Sequence, residues 1–124
     1  MQVLFRAKEK NSNNYVIGYE YYNHIEDEYY ITHYVSGSNY KIDRTTRSIN
    51  IEDMLDSQGN KIFASLQKDG RGGDICSVND YIDSGLNGVA IYQHYGFRID
   101  RKGKAMGISL SSTDIKIIGI QQWK

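Results

Sequence analysis

Three histidines (His24, His33, His94) and one cysteine (Cys76) are the side chains best suited to metal binding or nucleophilic catalysis. No two of them fall at the spacing of a zinc finger or a metalloprotease helix, so no metal is implied. Cys76 with His33 or His94 would make a nucleophile and base pair if folding joined them. A single cysteine inside an apolar run is more often a packed side chain, and no catalysis is assigned to it. Glu26-Asp27-Glu28 offers carboxylates to a divalent cation, yet adjacent acids in a loop are ordinarily solvated. Asp56, Asn60 and Asp69 lack the alternating ligand order of a calcium loop. Gly70-Arg71-Gly72-Gly73 has the composition of a phosphate cradle, but Asp74-Ile75 stands where a P-loop needs Lys and then Ser or Thr. A carboxylate there repels phosphate, and the run reads as a turn. The chain is therefore read as a non-enzyme without a cofactor.

Binding chemistry is better represented. Eight of the eleven tyrosines precede position 41, and Tyr19, Tyr21, Tyr22, Tyr30 and Tyr34 fall on two alternating segments. Exposed tyrosines stack single-stranded bases at roughly 1–3 kcal/mol each, but normally in a cationic groove. From Asn11 to Tyr40 there is no Lys or Arg, against Glu20, Glu26, Asp27 and Glu28, so phosphate is opposed there. Tyrosine also serves protein interfaces, where it brings area and a polar tip. A protein partner or a second copy is thus the expected occupant. Arg98, Arg101, Lys102 and Lys104, against Asp100 alone, make the one basic cluster that would contact phosphate, and they support a nucleic-acid alternative. Acidic and basic patches separated in this way can also meet across a self-association interface.

The rest of the composition sets bounds. A chain of 124 residues has the size of one domain and buries enough surface to fold without metal or disulfide. Fifteen basic residues balance fifteen acidic ones, so the net field favours no polyanion. A lone cysteine fits a reducing cytoplasm. No apolar run reaches the roughly 18 residues of a membrane span, and the N-terminus lacks signal-peptide features. A soluble cytoplasmic protein is expected.

The elements that must position these residues are strands. Tyr15 to Tyr22 alternates, with Tyr15, Ile17, Tyr19 and Tyr21 on one face and Val16, Gly18, Glu20 and Tyr22 on the other. Glu28 to Val35 alternates likewise, and the polar 23–27 stretch joins the two as a hairpin. Val3 to Lys8 precedes them as a strand. Lys41 to Ile49 reads as an exposed strand, or Asn50 caps a helix of about two turns. Asp56-Ser57-Gln58-Gly59-Asn60 is a turn in which Asp56 bonds its own backbone and Gly59 takes a positive φ. Strands are predicted again over 74–81, 89–92, 97–100, 105–110 and 115–120, with loops at 83–88 and 111–114. Short strands at this spacing, without proline and without a long helix, predict a mainly antiparallel all-β barrel or sandwich.

Three pieces, in order, resemble the YopX-like family of phage and prophage proteins. They are Leu4-Phe5-Arg6-Ala7 with Tyr15-Val16-Ile17-Gly18-Tyr19, then Asp56 to Phe63 with Gly73-Asp74-Ile75, and finally Ile117-Ile118-Gly119. Lys8 stands where the family usually has an aromatic, Ala64 to Gly72 separates pieces that are usually adjacent, and Ile120 replaces a usual Asn. The resemblance implies a small SH3-like, partly open barrel with embellishments, to which the residue pattern adds a hairpin extension and at most one short helical turn. It also implies a phage origin, and it carries over no catalytic residue.

Overall fold

A computed structural model describes residues 3–51, 54–67, 69–78, 86–93, 96–101, 104–107 and 115–120. β1 (Val3–Glu9) and β2 (Tyr15–Asn23) pair antiparallel, with Phe5 opposite Gly18 and Ala7 opposite Val16. β3 (Glu28–His33) returns along β2, and β4 (Asn39–Ile51) pairs with β3 on one edge and β1 on the other. The pairing closes as β1-β2-β3-β4-β1, a four-strand barrel. Beyond Gly18, β2 outruns β1, so its last residues and the start of β3 project as a two-stranded hairpin extension.

The second half extends the sheet without closing it. β5 (Ala64–Ser65) lies antiparallel to β4 and parallel to β7 (Leu86–Gln93). β7 is flanked by β6 (Asp74–Val78) and β8 (Gly96–Arg101). β9 (Lys104–Gly107) continues from β8, and β10 (Ile115–Ile120) pairs with β6. The protein is all-β and mainly antiparallel, a small barrel with added strands, and no helix occurs among the described residues.

The two halves have separate apolar cores. Ala7, Val16, Ile31 and Ile42 fill the barrel. Met54, Ile62, Ala64, Cys76, Ala90, Ile99 and Ile115 form the second core. A fully buried isoleucine stabilises by roughly 1.5–3 kcal/mol, so these residues hold the fold. The β1–β4 pair is the wall between the cores. Its far face carries Leu4, Arg6, Ser48 and Asn50, all buried.

That wall explains what the alternation did not show. β4 is half-buried rather than exposed, because Ile42 enters the barrel core and Ser48, Ile49 and Asn50 are covered on both faces. Asn50 caps no helix. Its amide donates to the Met54 and Ile62 carbonyls at 2.9 and 2.7 Å, supplying donors to two buried acceptors of an irregular segment. β4 also bulges between Asp43 and Ser48 relative to β1. Thr46 fills the bulge, accepting the Lys8 N–H at 2.8 Å and donating to the Asp43 carbonyl at 2.7 Å. β5 lies in the 64–72 stretch that the resemblance treats as an insertion, and β7 begins inside the predicted 83–88 loop. The 79–82 and 111–114 stretches and the final Gln-Gln-Trp-Lys lie outside the described residues.

Candidate functional site

The pieces that carry the family resemblance are far apart in sequence and meet at one groove of about 470 Å³. Arg6 and Ile17 come from β1 and β2, Gly59, Asn60, Lys61 and Phe63 from the Asp56 turn and its sequel, and Ile117, Gly119 and Ile120 from β10. The turn forms as its residues dictate. Asp56 Oδ1 accepts the N–H groups of Gln58 and Asn60 at 2.9 and 2.8 Å, and Gly59 takes φ 82°. Asp56 Oδ2 also accepts the Ile117 N–H at 3.2 Å, which ties the turn to β10. Burial works against the ionised carboxyl, but these N–H bonds outweigh it and hold Asp56 below its ordinary pKa.

Arg6 and Asp74 form the polar floor. Arg6 Nη1 lies 2.9 Å from Asp74 Oδ1, and Nη2 donates to the Gly72 carbonyl at 2.8 Å. Asp74 Oδ2 accepts the Phe63 N–H at 2.8 Å, and the guanidinium sits 4.8 Å from the Phe63 ring centroid. Burial pushes the Asp74 carboxyl up from its ordinary value, opposed by Arg6 and the Phe63 N–H. The Gly70–Gly73 run therefore serves an internal arginine. Its carbonyl points at Arg6, and the carboxylate that spoils a phosphate cradle is Arg6's partner.

From the groove a tyrosine face runs outward along β2 and β3. The Tyr34 N–H donates to the Ile17 carbonyl at 3.2 Å, and both side chains line the groove. Next come Tyr19 opposite Thr32, then Tyr21 opposite Tyr30, whose rings stack at 5.3 Å and 10°. Tyr19 and Tyr34 each remain 47% exposed and Tyr21 39%, while Tyr30 is half-buried. Tyr22 lies on the opposite face, tilted against Tyr29 at 4.9 Å, and is exposed because the hairpin overhangs the barrel. Thus four of the five tyrosines singled out from the sequence share a face.

The acidic segment is less acidic in space than in sequence. Glu28 is paired with Lys10 at 2.8 Å. Glu20 is buried between Arg47 at 2.7 Å and Arg44 at 3.5 Å, both supplied by β4. At the exposed tip, Glu26 accepts the Tyr30 hydroxyl and Asp27 that of Tyr22. The bond to Glu26 pushes the Tyr30 phenol up to about 12. Among the described residues no lysine or arginine pairs with Glu26 or Asp27.

The catalytic candidates are differently employed. His33 Nδ1 accepts the N–H groups of Val35 and Ser36 at 3.2 and 3.1 Å, stapling the turn after β3. His24 is exposed at the hairpin tip, and His94 lies outside the described residues. Cys76 is fully buried in the second core, and burial, with the Asp74 and Asp56 charges, pushes its thiol up to about 12. Iodoacetamide at pH 8 is expected to leave Cys76 unmodified in the native protein and to alkylate it in urea. Intact-mass measurement reads the difference, and rapid native labelling would refute the closed thiol. No cluster of three metal-ligating side chains occurs among the described residues. Of the basic cluster, Arg98, Arg101 and Lys104 lie on β8 and β9, while Lys102 and all four side chains fall outside the described structure. No described helix is long and apolar enough to cross a membrane.

No family model matches this chain, and no curated protein matches it.

Proposed function

We propose that this chain is a non-enzymatic accessory protein of phage or prophage origin, related to the YopX-like proteins. In this reading it works in the bacterial cytoplasm by docking another protein. The observation that carries the docking is the face formed by Tyr34, Tyr19, Tyr21 and Tyr30, continuous with the groove at Ile17 and Tyr34. Large exposed rings with few rotatable bonds and a hydroxyl at the tip suit a protein interface. Both cores close without these rings, so the fold does not require their exposure. The family kinship rests on the order of the three motifs.

Photocross-linking tests the face. Tyr19→p-benzoylphenylalanine and Tyr21→p-benzoylphenylalanine variants, irradiated in host cells, are expected to give discrete protein adducts. A Lys116→p-benzoylphenylalanine variant, on the exposed outer side of β10, is expected to give none. Equal adducts from all three positions, or none from the tyrosine sites, would refute docking through this face. A gel-shift of oligonucleotides at low salt that survives loss of the tyrosines would favour the nucleic-acid alternative instead.

A further inference from the structure

We infer that the partner docking on the tyrosine face presents arginine side chains, gripped between the Tyr21–Tyr30 rings and the Glu26 carboxylate, with Asp27 adding negative charge at the same tip. The inference rests on the docking reading above and specifies its occupant.

The hairpin already holds one arginine in this manner. On its inner face Arg44 places its guanidinium carbon 3.9 Å from the Tyr29 ring centroid, with Nε 3.5 Å from Glu20 Oε1. A flat, weakly hydrated guanidinium can lie on a ring while its N–H edge meets a carboxylate, and a lysine ammonium does this less well. The outer face and tip offer the same two components. Tyr21 and Tyr30 stack in a near-parallel pair, and Glu26 is fixed beside them by the Tyr30 hydroxyl. Asp27 is held at the same tip by Tyr22 of the opposite face, and it adds its charge to the tip without joining the ring pair. Each carboxylate is thus oriented by a phenol through one oxygen, which leaves its second oxygen for another donor.

Charge complementarity selects the class of partner. Lys10 answers Glu28, and Arg44 with Arg47 answers Glu20. Glu26 and Asp27 are the tip acids that no cation of the described structure answers, and they stand beside exposed aromatic surface. Such a surface repels acidic segments and gives a purely apolar segment no counterpart for its two charges. An arginine-bearing segment satisfies both the rings and the carboxylates.

The test is fluorescence anisotropy of a labelled peptide alternating arginine with glycine, titrated with the full chain at low salt. Binding that weakens with added salt is expected, with a citrulline-for-arginine peptide losing affinity by about tenfold or more. Glu26→Gln with Asp27→Asn should weaken binding by about tenfold, and Tyr21→Leu by roughly two- to fivefold. Asp69→Asn, an exposed carboxylate on the glycine turn far from the hairpin tip, should leave it unchanged. These positions are at or near the surface, and an unaltered far-UV spectrum confirms that the variants fold. Equal binding of the citrulline peptide, or no effect of the Glu26 and Asp27 changes, would overturn the inference. So would a homodimer that forms through this face while the arginine peptide fails to bind. If the peptide fails but Tyr21 still gives protein adducts in cells, the arginine partner falls and docking stands. If both fail, both readings fall.

Discussion

Asp74→Ala is expected to lower the unfolding free energy by about 3–5 kcal/mol, measured by urea denaturation at neutral pH. The loss has two sources. The Arg6 guanidinium, whose side chain is 9% exposed, is left with an uncompensated charge between the two halves of the protein. The Phe63 N–H loses its acceptor at the same time. Arg6→Met combined with Asp74→Asn should recover much of the deficit, because the charge is gone and the amide oxygen can still accept from Phe63. If Asp74→Ala alone cost under about 1 kcal/mol, the pair would be ornamental to folding and the groove floor would need another explanation.

Gly72→Ala is expected to cost about 3 kcal/mol or more, and Gly59→Ala serves as its internal standard. Both glycines sit at φ 82°, where an L side chain costs roughly 1–2 kcal/mol. A Cβ on Gly59 would have nothing within 4 Å, whereas on Gly72 it would lie 1.9 Å from the Thr46 carbonyl oxygen. The difference between the two variants therefore reads the contact between the glycine turn and the β4 bulge. The same shift would disturb the Gly72 carbonyl that Arg6 uses. Equal costs at the two sites, by urea midpoint and slope, would mean that the turn does not press on β4 as described.

What could be read from the sequence was local. The two-residue rhythm gave β2 and β3 with the correct faces, since Val16, Gly18 and Ile31 turn inward and Tyr19, Tyr21, Tyr30 and Tyr34 outward. The Asp56 turn followed from one side chain and one glycine. Long-range polar pairing was out of reach. Arg6 and Asp74 are 68 positions apart, and nothing in the composition around either residue marks an ion pair. Asn50 looked like a helix cap because capping and bridging buried carbonyls require the same short amide. The acidity of the hairpin was overstated because Lys10, Arg44 and Arg47 reach it from flanking sequence. β5 is two residues long, too short for any rhythm, yet it provides the parallel step to β7. The tyrosine face was legible as a set of residues. Its continuity with the groove was not, because that depends on where β10 lands.

β1 has no edge and no face to spare: strands lie on both sides of it, and side chains pack above and below. Such a strand is a keel, and change in it is felt throughout the hull. The overhang of β2 and β3 is the opposite, an outrigger whose residues answer to few neighbours inside the molecule. Sequence drift can therefore reshape the outrigger's surface while leaving the keel untouched, so that the hairpin's outer chemistry and foldability vary almost independently in this architecture.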